Sequence, residues 1–158
     1  MDRLDHEILA HLSQDGRLTN AELARRIRLS PTPTLRRVKA LEADGVITGY
    51  HAAVSPTALG RGFEVLVAVD LHLQVSEELE RFEAAVAELD EVVEAHRIYG
   101  TPDYLLRVAV ADNAAYERLY ADRLVRLPGV ARATSQMIMK SIKAPPLPPS
   151  TSPRNKLL

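Results

Sequence analysis

At Phe63 the apolar residues of this chain stop recurring every three or four positions and begin recurring every two. Phe63, Val65, Val67, Val69, Leu71 and Leu73 alternate with Glu64, Leu66, Ala68, Asp70, His72 and Gln74, the signature of a strand with one face against a core. Side chains alternate across a strand but return every 3.6 residues on a helix, so the two patterns demand different layers. The change therefore predicts a purely helical first part and a mixed α+β second part. The second set of the strand is polar at its ends and apolar at Leu66 and Ala68 in its middle. An apolar centre inside a polar rim predicts a face covered by a partner subunit.

After that strand, Leu79, Phe82, Val86 and Leu89 follow helical spacing. Val92–Tyr99 and Tyr104–Val110 read as strands separated by the tight segment Gly100-Thr101-Pro102-Asp103. A second helix carries Tyr116, Tyr120, Leu124 and Leu127 and stops at Pro128-Gly129, and Val130–Ile142 reads as the last strand. The order β-α-β-β-α-β predicts a ferredoxin-like domain over 63–143. Residues 144–158 hold five of the ten prolines and are expected to form an extended or disordered tail.

Residues 1–50 are expected to form a winged helix-turn-helix domain, joined to the second by a linker over 51–62. Leu4, Ile8, Leu9 and Leu12 form the stripe of a first helix, which is expected to stop at Asp15-Gly16 with glycine as a left-handed cap. Thr19 and Glu22 form a capping box for a second helix that should bury Ala21, Ala24 and Ile27. After the turn Arg28-Leu29-Ser30, Ser30 is placed as N-cap and Pro31 as the first residue of a third helix. Leu35, Val38 and Leu41 are expected to point inward, and Gly45 to close the helix. Ile47–Val54 looks extended, either as a wing or as the strand leaving the domain.

The net charge of −1 decides nothing about nucleic acid, but its local distribution does. Arg25, Arg26, Arg28, Arg36, Arg37 and Lys39 lie in one stretch with no acid among them. Two short helices and a tight turn place that cluster on a recognition helix and the helix before it. Arg25, Arg26, Arg28, Ser30, Thr32, Thr34, Arg36, Arg37 and Lys39 are the expected contacts to double-stranded DNA. Hydroxyls suit phosphates or base edges, and arginine suits the guanine edge. A small helical interaction domain with merely solvated arginines is the competing reading.

Other classes fare worse. With no cysteine, disulfides and thiolate metal sites are excluded, and the five histidines lack ligand spacing, so no metal is expected. No stretch approaches the roughly 20 apolar residues of a membrane span, and the N-terminus lacks the features of a secretory signal, so the expected location is the cytoplasm. There is no phosphate-cradling glycine motif and no nucleophile elbow, so no catalytic residues, no cofactor and no enzyme activity are expected.

The stretch SPTPTLRRVKALEADGVITGY from Ser30 to Tyr50, with LDHEIL near the start, GTPDYLLRVAV from Gly100 and RLPGV from Arg126, resembles the Lrp/AsnC (feast/famine) transcription regulators across residues 2–143. That resemblance implies a homodimer formed through the C-terminal sheets, often assembled into octamers or other multimers. It also implies an amino-acid or related metabolite effector that alters assembly or DNA affinity. The family's effector loop, Gly-Asp-x-Asp, corresponds here to Gly100, Thr101, Pro102 and Asp103, so the first acid is missing and Pro102 removes a backbone donor. By similarity Gly100, Thr101 and Asp103, with Thr134 and Gln136 of the last strand, form the effector site. The competing reading makes the loop a tight hairpin in which Asp103 serves only the turn. At the level of the whole chain, the alternative is a metabolite-sensing oligomeric interaction protein without specific DNA binding.

Overall fold

A computed structural model describes residues 1–72 and 75–142 of the chain. The chain divides into two compact units, one spanning Met1–Ala52 and the other beginning at Ala53.

The first unit consists of α1 (Arg3–Gln14), α2 (Asn20–Arg26) and α3 (Pro31–Ala43). Its core is Ile8, Leu23, Ile27 and Leu41, with Leu9, Leu12, Leu29, Val38 and Ile47 packed against it. At the start of α1, Asp2 and Asp5 form a reciprocal capping box, and Thr19 and Glu22 do the same for α2. Between α2 and α3 the chain turns at Arg28, whose φ is +58°. The N–H of Leu29 donates to the Ala24 carbonyl and that of Arg28 to Arg25, a Schellman arrangement with arginine where glycine is usual. Left-handed backbone costs a side-chain-bearing residue on the order of 1 kcal/mol. The two carbonyl bonds offset it.

Several expectations need correction. Gly16 is not left-handed; α1 ends because Asp15 turns extended (φ −144°) and its carboxylate accepts from the Arg17 N–H. On α2 the buried positions are Leu23 and Ala24, joined by Ile27 at its C-cap, while Ala21 is exposed. On α3 the inward stripe is Thr34, Val38 and Leu41, with Leu35 43% exposed. The spacing i, i+4, i+7 follows the helical period better than steps of three. Gly45, at φ +69°, ends α3 as expected, with the Val46 N–H donating to the Leu41 carbonyl. The segment expected to be extended over Ile47–Val54, as a wing or as the strand leaving the domain, forms no strand; residues 48–55 have no regular secondary structure. They lack a paired strand, and β propensity alone does not make one.

The second unit follows the order β1 (Phe63–Leu71), α4 (Ser76–Ala87), β2 (Val92–Arg97), β3 (Tyr104–Val110), α5 (Asn113–Asp122) and β4 (Val130–Met137). The strands lie in the order β2-β3-β1-β4 and every neighbouring pair is antiparallel. This is the ferredoxin-like arrangement. Val65, Val67, Val69 and Leu71 of β1 face the core with Leu106, Val108 and Val110 of β3; Leu79, Phe82 and Val86 of α4 and Tyr116 and Leu119 of α5 cover them. Leu119 takes a core position that the aromatic spacing Tyr116–Tyr120 obscured; the Tyr120 hydroxyl instead donates to the Ala133 carbonyl. Two strands are shorter than expected, β2 ending at Arg97 and β4 at Met137. Leu73, Gln74 and the proline-rich tail expected over 144–158 lie outside the described residues.

The sheet face away from the helices carries Leu66 and Ala68 opposite Arg107 and Leu105. Arg107 is nearly buried there, held by Glu64 at 2.6 Å and Glu94 at 2.9 Å. Burial opposes its charge, but the two carboxylates outweigh that and keep its pKa above the ordinary value.

Candidate DNA interface and effector loop

In the first unit the geometry separates the predicted DNA contacts into two groups. Thr32, Arg36 and Lys39 are exposed and stand at i, i+4 and i+7 of α3, on one face of the helix. Arg25, Arg26 and Arg28 are exposed on the end of α2 and in the turn, and Ser30 is exposed at the α3 N-cap. Ser30 makes no side-chain capping bond, and the first turn of α3 contains no acid. Among the described residues, Arg28, Arg36 and Lys39 take part in no ion pair. Their charge is turned to solvent.

Thr34 and Arg37 belong to the second group. Thr34 is 0% exposed and its hydroxyl donates to the Ser30 carbonyl at 3.0 Å, so it faces inward rather than outward. A hydroxyl bonded back to its own helix can be buried at little cost, which hydropathy does not register. The Arg37 guanidinium donates to Asp2 and Asp5, each at 2.8 Å. The same two carboxylates cap α1, so Arg37 ties α3 to the first turn of α1. Asn20 adds a second tie, its amide donating to the Pro31 carbonyl at 2.8 Å. The sequence reading missed Asp2, Asp5 and Asn20; an acid pair three residues apart before an apolar run signals the cap but not the arginine.

This clasp carries a pH signature. The reciprocal backbone bonds at the helix start, together with Arg37, hold the Asp2 and Asp5 carboxyls below their ordinary value of 3.8. Groups whose folded pKa is depressed stabilise the fold above the unfolded value and lose that contribution as pH falls through the folded one. Arg37→Ala is therefore expected to lower the melting temperature of the first unit near neutral pH. The gap from the parent protein should close as pH falls below 3.8. Thermal melts followed by circular dichroism across that range check this; a gap independent of pH would remove the carboxylates from the explanation.

In the second unit, Gly100, Thr101 and Asp103 line a cavity of about 530 Å³ with Leu79, Arg97 and Tyr104. Gly100 sits at φ +133°, which favours glycine. The Asp103 carboxylate accepts from the Leu71 N–H at 2.7 Å, and its carbonyl accepts from Ile98 at 2.8 Å. Asp103 thus joins the hairpin to the end of β1 while bordering the cavity. Tyr104 is buried and its hydroxyl donates to Glu83 at 2.7 Å; burial first, and the carboxylate second, push its pKa up to about 12. It remains a neutral donor at physiological pH.

Thr134 and Gln136 are not brought into this cavity. They pair with Ala68 and Leu66, while their neighbours Ala133 and Ser135 face the helices, Ser135 bonding the Tyr116 hydroxyl. Alternation therefore puts Thr134 and Gln136 on the open face of the sheet. Among the described residues no three histidine or acidic side chains converge as a metal site, and no helix is long and apolar enough to cross a membrane.

Comparisons with known proteins match both units. Residues 1–48 match the winged helix-turn-helix DNA-binding family, and residues 64–148 the Lrp/AsnC ligand binding domain. The chain is 42% identical over 143 residues to the leucine-responsive regulatory protein of Salmonella typhimurium, covering 90% of this chain and 87% of that protein. Among solved structures it resembles a transcriptional regulator of Neisseria meningitidis in complex with L-methionine (TM-score 0.87, 36% identity, 94% and 96% of the two chains). An AsnC family transcriptional regulator of Agrobacterium tumefaciens is similar to the same degree (TM-score 0.87, 38% identity, 94% and 97%). A helix-turn-helix with an exposed basic face, a ferredoxin-like domain with a cavity at its β2–β3 loop, and these matches over both units lead to one assignment: the chain belongs to the Lrp/AsnC family of transcriptional regulators.

Proposed function

We propose that the chain, as a homodimer or multimer of dimers acting in the cytoplasm without catalysis, binds double-stranded DNA through the face Thr32-Arg36-Lys39. Binding responds to an amino acid held at the Gly100–Asp103 loop. The observation that carries this reading is the exposed, acid-free stripe on α3, flanked by Arg25, Arg26 and Arg28 on one side of the turn. Arg36 and Thr32 suit base edges, and the arginines of α2 and the turn suit phosphates. In the loop cavity the carboxylate of Asp103 offers an ammonium a partner, and the chain turns at Gly100 without a side chain in the way. Leucine and methionine are the first effectors to try, since relatives are named for the one and crystallised with the other.

A binding titration on DNA from upstream of its own gene, repeated over a salt series with and without each amino acid, tests this reading. Each phosphate neutralised should add about −0.9 to the slope of log affinity against log salt. One amino acid should shift the curve, and Asp103→Asn should move the dose-response of that shift to higher concentration while leaving effector-free DNA binding in place. Weak binding insensitive to salt would instead favour a metabolite-sensing protein that does not read DNA. An unchanged dose-response in Asp103→Asn would remove this carboxylate from the effector site.

A further inference from the structure

On α3 a large apolar side chain stands beside the polar, cationic face. Leu35 is 43% exposed, three residues after Thr32, next to Arg36 and four before Lys39. At 3.6 residues per turn it lies about 60° around the helix from Thr32 and about 40° from Lys39. It therefore flanks the outward stripe Thr32-Arg36-Lys39. The inward stripe Thr34-Val38-Leu41 packs without it.

A single exposed leucine is ordinary on any protein surface, so exposure alone carries no meaning. Its seating and its neighbours do. Leu35 lines a cavity of about 140 Å³ with Leu12, Leu18, Leu23, Val38 and Tyr50. That volume is well below the roughly 300–1,000 Å³ of small-ligand sites, so the cavity seats the leucine and has no room for a metabolite. The backbone beneath it is held as well. Asn20 donates to the Pro31 carbonyl at 2.8 Å and Thr34 to the Ser30 carbonyl at 3.0 Å, which fixes the first turn of α3. Leu35 is thus braced at its base and open at its tip, and ordering it on contact costs little entropy.

We infer that Leu35 is a specificity-determining residue that reads thymine through its 5-methyl group. The inference rests on the reading that this face of α3 enters the major groove. Phosphates offer a leucine nothing, and the base edges of that groove carry donors, acceptors and one apolar group, the thymine methyl. Covering that methyl with the Leu35 tip removes both from water. Arg36, the next residue, reads by hydrogen bonding, so the two side chains recognise neighbouring base pairs by different chemistry.

The test uses a duplex selected from random-sequence DNA by the full-length protein, then prepared once with thymidine and once with deoxyuridine, which lacks the methyl. The parent should bind the thymidine duplex about fourfold more tightly for each methyl covered, the scale of taking one methyl group out of water. Leu35→Ala should lose that ratio, binding both duplexes alike. Leu35→Met, still apolar, should retain it. Arg36→Ala should weaken binding to both duplexes by the same factor. Each ratio is taken within one protein, so a change in stability cancels. An equal ratio in the parent and Leu35→Ala would overturn the inference and leave the DNA face standing. So would a parent that does not distinguish the duplexes. Loss of the ratio in Arg36→Ala as well would place the methyl's effect in the shape of the duplex, with Leu35 no longer its reader. If no sequence were enriched at all, the reading of the DNA face would fall together with this one.

Discussion

Replacing Phe82 by alanine is expected to destabilise the second unit by about 3–5 kcal/mol, the range for truncating a fully buried aromatic. Phe82 is 0% exposed, lies in the middle of α4, and meets both the Tyr104 ring and the core formed by β1 and β3. The cost combines lost transfer energy with a cavity that a helix held at both ends cannot collapse to fill. Against a typical domain stability of about 5–15 kcal/mol, that is a large fraction. Denaturant unfolding followed by far-ultraviolet circular dichroism should show an earlier midpoint. Val75, 53% exposed just before α4, provides the contrast: Val75→Ala should stay within about 0.5 kcal/mol of the parent. If Phe82→Ala were as mild, α4 could not be packed on the sheet as described.

The second unit was legible in the sequence because its two faces differ in hydropathy. Val65, Val67, Val69 and Leu71 are buried as the alternation from Phe63 requires, and Leu79, Phe82 and Val86 meet them at helical spacing. A one-residue slip would turn every one of these side chains to the other face. The first unit was harder, since α3 offers two candidate stripes, 34-38-41 and 35-38-41. Hydropathy favours Leu35, and the hydrogen bond from Thr34 to Ser30 decides for the other. The segment 47–54 has the composition of a strand, but composition cannot supply a neighbour to pair with.

The candidate sites were legible where they are local. The basic run 25–39 is contiguous, so exposure on α2 and α3 could be anticipated, and Gly100, Thr101 and Asp103 border one cavity because one hairpin loop carries them. What escaped depends on distant partners. Arg37 meets Asp5 and Asp2 across 32 and 35 residues of sequence, so its type marked it as a DNA contact while its geometry makes it a tie between helices. Thr134 and Gln136, assigned by resemblance, share the open sheet face with Leu66 and Ala68 instead of the loop cavity.

That division of the basic residues leads to the sharpest expectation for DNA. Arg36→Ala should cost about 1–3 kcal/mol of affinity for a specific operator and relax selectivity at the base pair it reads. Arg36 is exposed, ion-paired to nothing among the described residues, and placed between Thr32 and Lys39 on the outward face of α3, so its removal leaves the fold intact. Arg36→Lys should recover little, because an ammonium cannot reproduce the two-pronged contact of a guanidinium with guanine. Arg28→Ala should behave differently, weakening binding to all sequences alike and reducing the salt slope by about one phosphate's worth. Measuring affinity for operator and random DNA at several salt concentrations separates these outcomes. Arg37→Ala is the needed control, since it should lower thermal stability along with any affinity, whereas Arg36→Ala should lower affinity alone. If Arg36→Ala left operator binding unchanged and Arg37→Ala reduced it without loss of stability, the roles of these adjacent arginines would have to be exchanged. The clasp to Asp2 and Asp5 would then have to open when the helix meets DNA.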